Sequence, residues 1–191
     1  MCGAYPDIIY ALNQSADVIL RSCDAGLTWT KYAEPGWNFR PFDGLPTFAV
    51  DPVNPKKIYT LDANHDLASF DGEKWTSFNV LDNTVFNFVR NVAIDPNNPD
   101  IIYAGMFASG GPIVFRSLDG GKNWEDISFN ISRIGGALKV NPHTGELFRG
   151  TLFGTWIFPA PYNEIPEVDS SMLTGIDVIP AIDTLTVGDT L

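Results

Sequence analysis

Apolar and polar positions alternate along this chain in short runs broken by turn residues. Residues 91–95 alternate and end at a proline turn, and residues 101–105 are β-branched and aromatic. Residues 113–117 form a further apolar run, and residues 124–127 open another. Alternation with period two, bounded by Pro, Asn, Asp and Gly, predicts half-buried strands. The Asp-Pro-Asn-Asn-Pro segment at 95–99 is dense in residues that preset turn dihedrals. No window sustains a 3.6-residue apolar period, so no helix is predicted.

This four-strand unit repeats. The frame R-S-x-D-x-G-x-x-W occurs at 21–29 and again at 116–124, and a copy one residue shorter lies at 69–75. Residues 99–104 are identical to residues 6–11, Pro-Asp-Ile-Ile-Tyr-Ala. Residues 93–99 mirror 49–55, and residues 138–145 are a weaker version. The aromatic after each proline turn falls at Tyr10, Tyr59, Tyr103 and Phe148, in steps of 49, 44 and 45 residues. The frame tryptophans, Trp29, Trp75 and Trp124, step by 46 and 49. A period of about 40–50 residues with several short strands per unit marks a propeller blade. The expected fold is all-β: a partial propeller of about four four-stranded antiparallel blades in an incomplete ring, with about fourteen strands.

Each frame has a local physical reading. Two strands must reverse over a short loop. Gly26 and Gly121 accept positive φ at little steric cost. The serines Ser22, Ser69 and Ser117 end one strand. Asp24, Asp71 and Asp119 can take hydrogen bonds from loop amides, which makes them turn braces rather than catalytic acids. Trp29, Trp75 and Trp124 then bury large rings between sheets.

These frames resemble the Asp-box, or bacterial neuraminidase repeat. Combined with D-P-x-N-P-x-x-I-Y-A, they are similar to the propellers of xyloglucan-type glycoside hydrolases and sortilin-like receptors. The resemblance covers about residues 5–158. It implies a propeller with the box at the blade periphery, away from the substrate face. It does not choose a function, because the family includes hydrolases, receptors and assembly factors. The first unit lacks the strand that precedes the proline turn, so the rest of the propeller is expected from N-terminal sequence outside this chain. The last unit stops near Phe158 without a box or a fourth strand. Residues 1–158 therefore read as the propeller segment and 159–175 as a proline-rich acidic linker. Residues 176–191, with Val178, Pro180, Leu185 and Val187-Gly188-Asp189-Thr190-Leu191, resemble the first strand of a bacterial group-2 immunoglobulin-like domain, incomplete here.

Composition narrows the partners. The 17 glycines and 14 prolines suit a turn-rich β chain. Twelve basic against 23 acidic residues give a net charge of −11, which argues against nucleic acid. No apolar run approaches the ~20 residues of a membrane helix, so no membrane insertion is expected. An extracellular or cell-surface location follows from the resemblance. Cys2 and Cys23 would close a loop of about 20 residues, but both read as free. No cofactor is expected, and no cysteine–histidine cluster suggests a metal. Residues 62–66 have the D-x-N-x-D spacing of a calcium loop, with Glu73 at the twelfth position. Leu67 stands where that loop wants glycine, so a polar hairpin is the reading. His65 and His143 read as surface residues.

One loop carries candidate binding chemistry. Residues 34–46 connect one blade to the next and place Trp37, Phe39 and Phe42 close together between prolines. Three rings could form a platform for sugars, with Arg40 and Asp43 bonding hydroxyls. Alternatively, the rings fill the wedge between blades. Trp156 has the same ambiguity and reads as core. Glycoside hydrolysis usually needs two carboxylates about 5–9.5 Å apart, and no motif picks such a pair. A sialidase-like site needs clustered arginines, whereas Arg40, Arg90, Arg116, Arg133 and Arg149 are scattered. Catalytic residues are therefore unassigned. The first reading is a non-catalytic binding or scaffold propeller of a secreted multidomain bacterial surface protein, with a polysaccharide or surface protein as partner. The alternative is a fragment of a glycoside hydrolase, xyloglucanase- or sialidase-like, with its acids partly outside this chain.

Overall fold

The structure is a computed structural model and describes residues 6–12, 18–34, 48–62, 64, 66–78, 80, 87–108, 113–128, 135–151, 154–161 and 184–185. Fifteen strands form four antiparallel sheets in chain order. The first holds β1 (Ile9–Leu12), β2 (Ile19–Ser22) and β3 (Thr30–Ala33). The second holds β4 (Ala49–Val50), β5 (Ile58–Leu61), β6 (Leu67–Phe70) and β7 (Trp75–Ser77). The third holds β8 (Asn87–Ile94), β9 (Ile102–Ala108), β10 (Val114–Ser117) and β11 (Glu125–Asp126). The fourth holds β12 (Gly135–Val140), β13 (Leu147–Thr151), β14 (Gly154–Phe158) and β15 (Thr184–Leu185). The fold is all-β and propeller-like without closing a ring, and no helix occurs among the described residues.

Two details depart from the sequence expectation. The fourth place in the last sheet is not empty: Thr184 and Leu185 pair with Trp156 and Thr155. An unpaired edge exposes a row of amide and carbonyl groups, and any extended segment within reach can satisfy them. Ser69 does not stand where Ser22 and Ser117 stand. Ile9 faces Ser22 and Ile102 faces Ser117, but Ile58 faces Phe70, while Ser69 faces Tyr59. Phe70 also faces Trp75 across the hairpin. The second box hairpin is thus two residues shorter than the third, and a phenylalanine replaces the serine.

The proline turns explain why the first two strands of a unit meet. Asp51 Oδ1 accepts the amides of Val53 and Asn54, both at 2.9 Å. Asp95 Oδ1 accepts those of Asn97 at 2.8 Å and Asn98 at 3.3 Å. Both carboxylates are buried, and each closes its turn by backbone capture. Asn141 does the same in the fourth unit, accepting the His143 amide at 2.9 Å.

The core lies between sheets. Ile19, Ala33, Ile58 and Phe70 join the first two sheets, with Tyr10, Tyr32 and Trp75 packed against them. Tyr59, Leu61, Leu67, Val89, Ile102 and Met106 join the second and third. Tyr103, Ile113, Leu138, Val140, Leu147 and Phe158 join the third and fourth. Polar links repeat at one period: Tyr10 donates its hydroxyl to Pro55 O, Asn91 Nδ2 to Gly136 O and Asn97 Nδ2 to Pro142 O, each across 45 residues.

Candidate functional site

Strand direction sorts the connections onto two ends. The proline turns and the box hairpins share one end of the blades. Residues 13–17, 62–66, 109–112 and 152–153 link the second and third strands of each unit at the other end. The connections between units return there too, because Asn87, the start of β8, pairs with Ala108 at the end of β9. The Val80 amide in one such connection reaches Asp66 Oδ1 at 3.3 Å.

The box end is dominated by self-contained turns. Ser117 Oγ donates to Asp119 Oδ1 at 2.8 Å and accepts the Gly121 amide at 2.8 Å. Asp119 Oδ1 accepts the amides of Lys122 and Asn123 at 3.0 and 2.9 Å. Trp124 Nε1 donates back to Gly121 O at 3.0 Å. The first box repeats this: Ser22 Oγ bonds Asp24 at 2.7 Å and takes the Gly26 amide at 2.8 Å, and Asp24 Oδ1 takes the Thr28 amide at 2.8 Å. Trp29 Nε1 donates to Gly26 O at 3.0 Å. In the shorter second box, Asp71 Oδ1 accepts the amides of Glu73 and Lys74, both at 2.9 Å. Donated hydrogen bonds favour the ionised carboxylate. The Thr28 hydroxyl and amide, then Ser22, hold Asp24 at about 2. The Asn123 amide and side chain, then Ser117, hold Asp119 at about 2. The amides of Lys74 and Glu73 lower Asp71. A carboxylate held so acidic is a poor proton donor near neutrality.

The loop end holds two buried charged features. Asp62 Oδ1 accepts the amides of Asn64 at 2.8 Å and Asp66 at 3.1 Å, and the Asp62 amide bonds Asp66 O at 2.8 Å. Asp66 Oδ1 takes the Leu67 amide at 2.7 Å. This is a closed polar hairpin, with oxygens aimed at amides. Among the described residues no group of three metal-capable side chains converges. Arg149 on β13 is 1% exposed, and its Nη1 donates to Ile113 O at 3.2 Å. Gly105 makes room for it: a Cβ there would lie 3.1 Å from Nη1. Burial lowers the affinity of this guanidinium for its proton. The sequence placed Arg149 only among scattered arginines. Its alternation with inward Leu147 was the available signal.

The proposed sugar platform of Trp37, Phe39 and Phe42, with Arg40 and Asp43, lies outside the described residues, as do Cys2, His65 and Arg133. Glu34 and Phe48, which flank it, belong to the loop end. Trp156 is half-buried against the core between the third and fourth sheets. Cys23 is a free, exposed thiol. Arg116 pairs with Glu125 at 2.6 Å on neighbouring strands. No helix among the described residues is long and apolar enough to cross a membrane.

Known proteins share this architecture. No family model matches the chain. It is 29% identical over 123 residues to a protein of Neosartorya fischeri described as a "Probable oligoxyloglucan-reducing end-specific xyloglucanase". That match covers 61% of this chain and 15% of the relative. A GH74 enzyme of Niastella koreensis superposes with a TM-score of 0.56 at 19% identity, over 77% of this chain and 26% of that one. A chain of a nidogen/laminin complex superposes with a TM-score of 0.60 at 16% identity, over 80% and 56%. At these identities the likeness is one of fold, a distant match to propellers of the GH74 kind.

Proposed function

We propose that this chain is a propeller segment of a secreted glycoside hydrolase acting on xyloglucan or a related β-glucan, with its catalytic acids partly outside the chain. The observation that carries the reading is the 29% identity to the Neosartorya fischeri protein, whose printed description is a xyloglucanase. The chain spans about 15% of that relative, so activity and substrate are proposals for the whole protein. In this reading the hairpins are Asp-box turns, and their aspartates brace the periphery. The loop end faces substrate, with Trp37, Phe39 and Phe42 as stacking rings and Arg40 and Asp43 as hydroxyl partners. A sialidase-like clamp is disfavoured, because Arg116 is paired with Glu125 and Arg149 is buried. The location is extracellular. Residues 176–191 open an immunoglobulin-like spacer, and its Thr184 and Leu185 lie against the edge of the last sheet.

The test is a titration of the chain with xyloglucan oligosaccharides, followed by tryptophan fluorescence and by product analysis. Binding without hydrolysis, abolished by Trp37→Ala at unchanged melting temperature, supports the reading. A flat titration removes the sugar platform. It leaves the second reading, a scaffold propeller for a protein partner, which the structural likeness to a chain of the nidogen/laminin complex keeps in play.

A further inference from the structure

Successive blades are joined by a repeated contact between a side chain and a glycine. In each box hairpin the glycine three residues before the tryptophan has positive φ: Gly26 at 94°, Gly72 at 105° and Gly121 at 93°. In each unit the residue three after the tryptophan is apolar or aromatic: Tyr32, Phe78 and Ile127. Phe78 of the second sheet sits over Gly121 of the third, where a Cβ would come within 2.4 Å of its ring. Tyr32 of the first sheet sits over Gly72 of the second, its hydroxyl 3.3 Å from where a Cβ would lie. Ile127 is buried in the core shared with the fourth sheet, whose unit has no box. The glycine is a socket, and the outer strand of the preceding blade carries the knob.

Gly26 is a socket of the same form with no knob among the described residues. A Cβ there would meet only Ile9 Cδ1 at 3.7 Å and Trp29 Cζ2 at 3.9 Å, both from its own sheet. The surroundings match an uncovered interface. Trp29 is 41% exposed, whereas Trp124 is half-buried against the second sheet. Leu27, 85% exposed, stands where the third box has Lys122. The sheet that presents this surface is the one with three strands.

We propose that the face of the first sheet formed by Gly26, Trp29, Leu27 and Ile9 is a docking surface for another box-bearing blade. That blade inserts an apolar side chain, placed three residues after its box tryptophan, into the Gly26 socket. The occupant is a blade of this kind rather than a second copy of this chain. The outward blade of a second copy would be the fourth, and its unit has neither a box nor such a knob among the described residues.

The test supplies the chain with its own second blade. Residues 48–98 are duplicated ahead of Pro6, so that the junction at Pro6 reproduces the natural junction at Pro99. The added piece brings a knob, Phe78, and a copy of β8 to pair with β1. Tryptophans are labelled as 5-fluorotryptophan, and the Trp29 resonance is assigned with Trp29→Phe. In the unextended chain, Trp29 shows a full solvent isotope shift and the protein sediments as a monomer. In the extended chain that shift collapses and the melting temperature rises. Phe78→Ala in the added copy alone restores both. The proposal is overturned if Trp29 stays exposed in a folded extended chain, or if the knob truncation changes nothing. It is also overturned if the unextended chain dimerises with Trp29 buried. Should the extended chain not fold, the same rule is read at the existing joint. Phe78→Ala in the unextended chain must then expose Trp124, and an unchanged Trp124 resonance sinks the idea.

Discussion

Phe78 and Gly121 are in contact across two sheets, and a methyl group on Gly121 would lie 2.4 Å from Phe78 Cε1. Gly26 has the same backbone conformation with φ of 94°, yet its Cβ position is open to 3.7 Å. The pair separates backbone strain from packing. Gly26→Ala meets only left-handed strain, about 1–2 kcal/mol. Gly121→Ala adds overpacking of about 1–3 kcal/mol. Urea melts should rank Gly121→Ala below Gly26→Ala. Equal losses would show that Phe78 moves aside freely.

Asp119→Ala removes the acceptor for two loop amides and the Ser117 hydroxyl. By analogy with a lost helix cap, about 1–2 kcal/mol of stability should go. Trp124→Ala should cost more, about 2–4 kcal/mol for a half-buried ring. Neither should weaken sugar binding in protein kept folded. Lost binding with an unchanged melting curve would mark the box as a binding element.

The box carboxylates also set acid sensitivity. Asp24 and Asp119 titrate at about 2 in the folded chain, below the ~3.9 of an unfolded aspartate. A depressed carboxylate contributes stability that is complete above the unfolded value and is lost as pH falls toward the folded one. Stability should therefore decline between about pH 4 and pH 2. The double variant Asp24→Asn, Asp119→Asn should be less stable at pH 7 and flatter across that window. An undiminished slope in the double variant would place the acid response elsewhere.

Arg149 predicts the opposite sign to most core mutations. Its Nε has no hydrogen-bond partner, and Nη1 has only Ile113 O. A buried charge without a counter-ion is costly, and apolar replacement of buried charges is often neutral or stabilising by about 1–4 kcal/mol. Arg149→Met should leave or raise the melting temperature. A clear fall would reveal a charge partner for the guanidinium.

The period, the strand count and the proline turns were legible because they recur with turn residues at fixed offsets. The short second box was not, because Ser69 and Phe70 both offer alignments and only the ladder with Ile58 and Tyr59 separates them. Thr184 and Leu185 carry no local signal for joining β14, since edge pairing reads backbone and not side chains. Tyr32, Phe78 and Ile127 were visible as apolar positions, but their shared task depends on a glycine in the next unit. The candidate platform at 37–43 was read from residue type alone, and its geometry lies outside the described residues.

The cross-sheet bonds of Tyr10, Asn91 and Asn97 each span 45 residues, one unit length. Nearest-neighbour coupling of this kind behaves as a one-dimensional chain of units. An arc with two free ends should not unfold all at once. Native-state hydrogen exchange should be slowest in β5, β9 and β10, flanked by sheets on both sides, and faster in β1 and β14. Loss of order should then travel inward from the ends, and each joint added to the arc should make its interior slower to open.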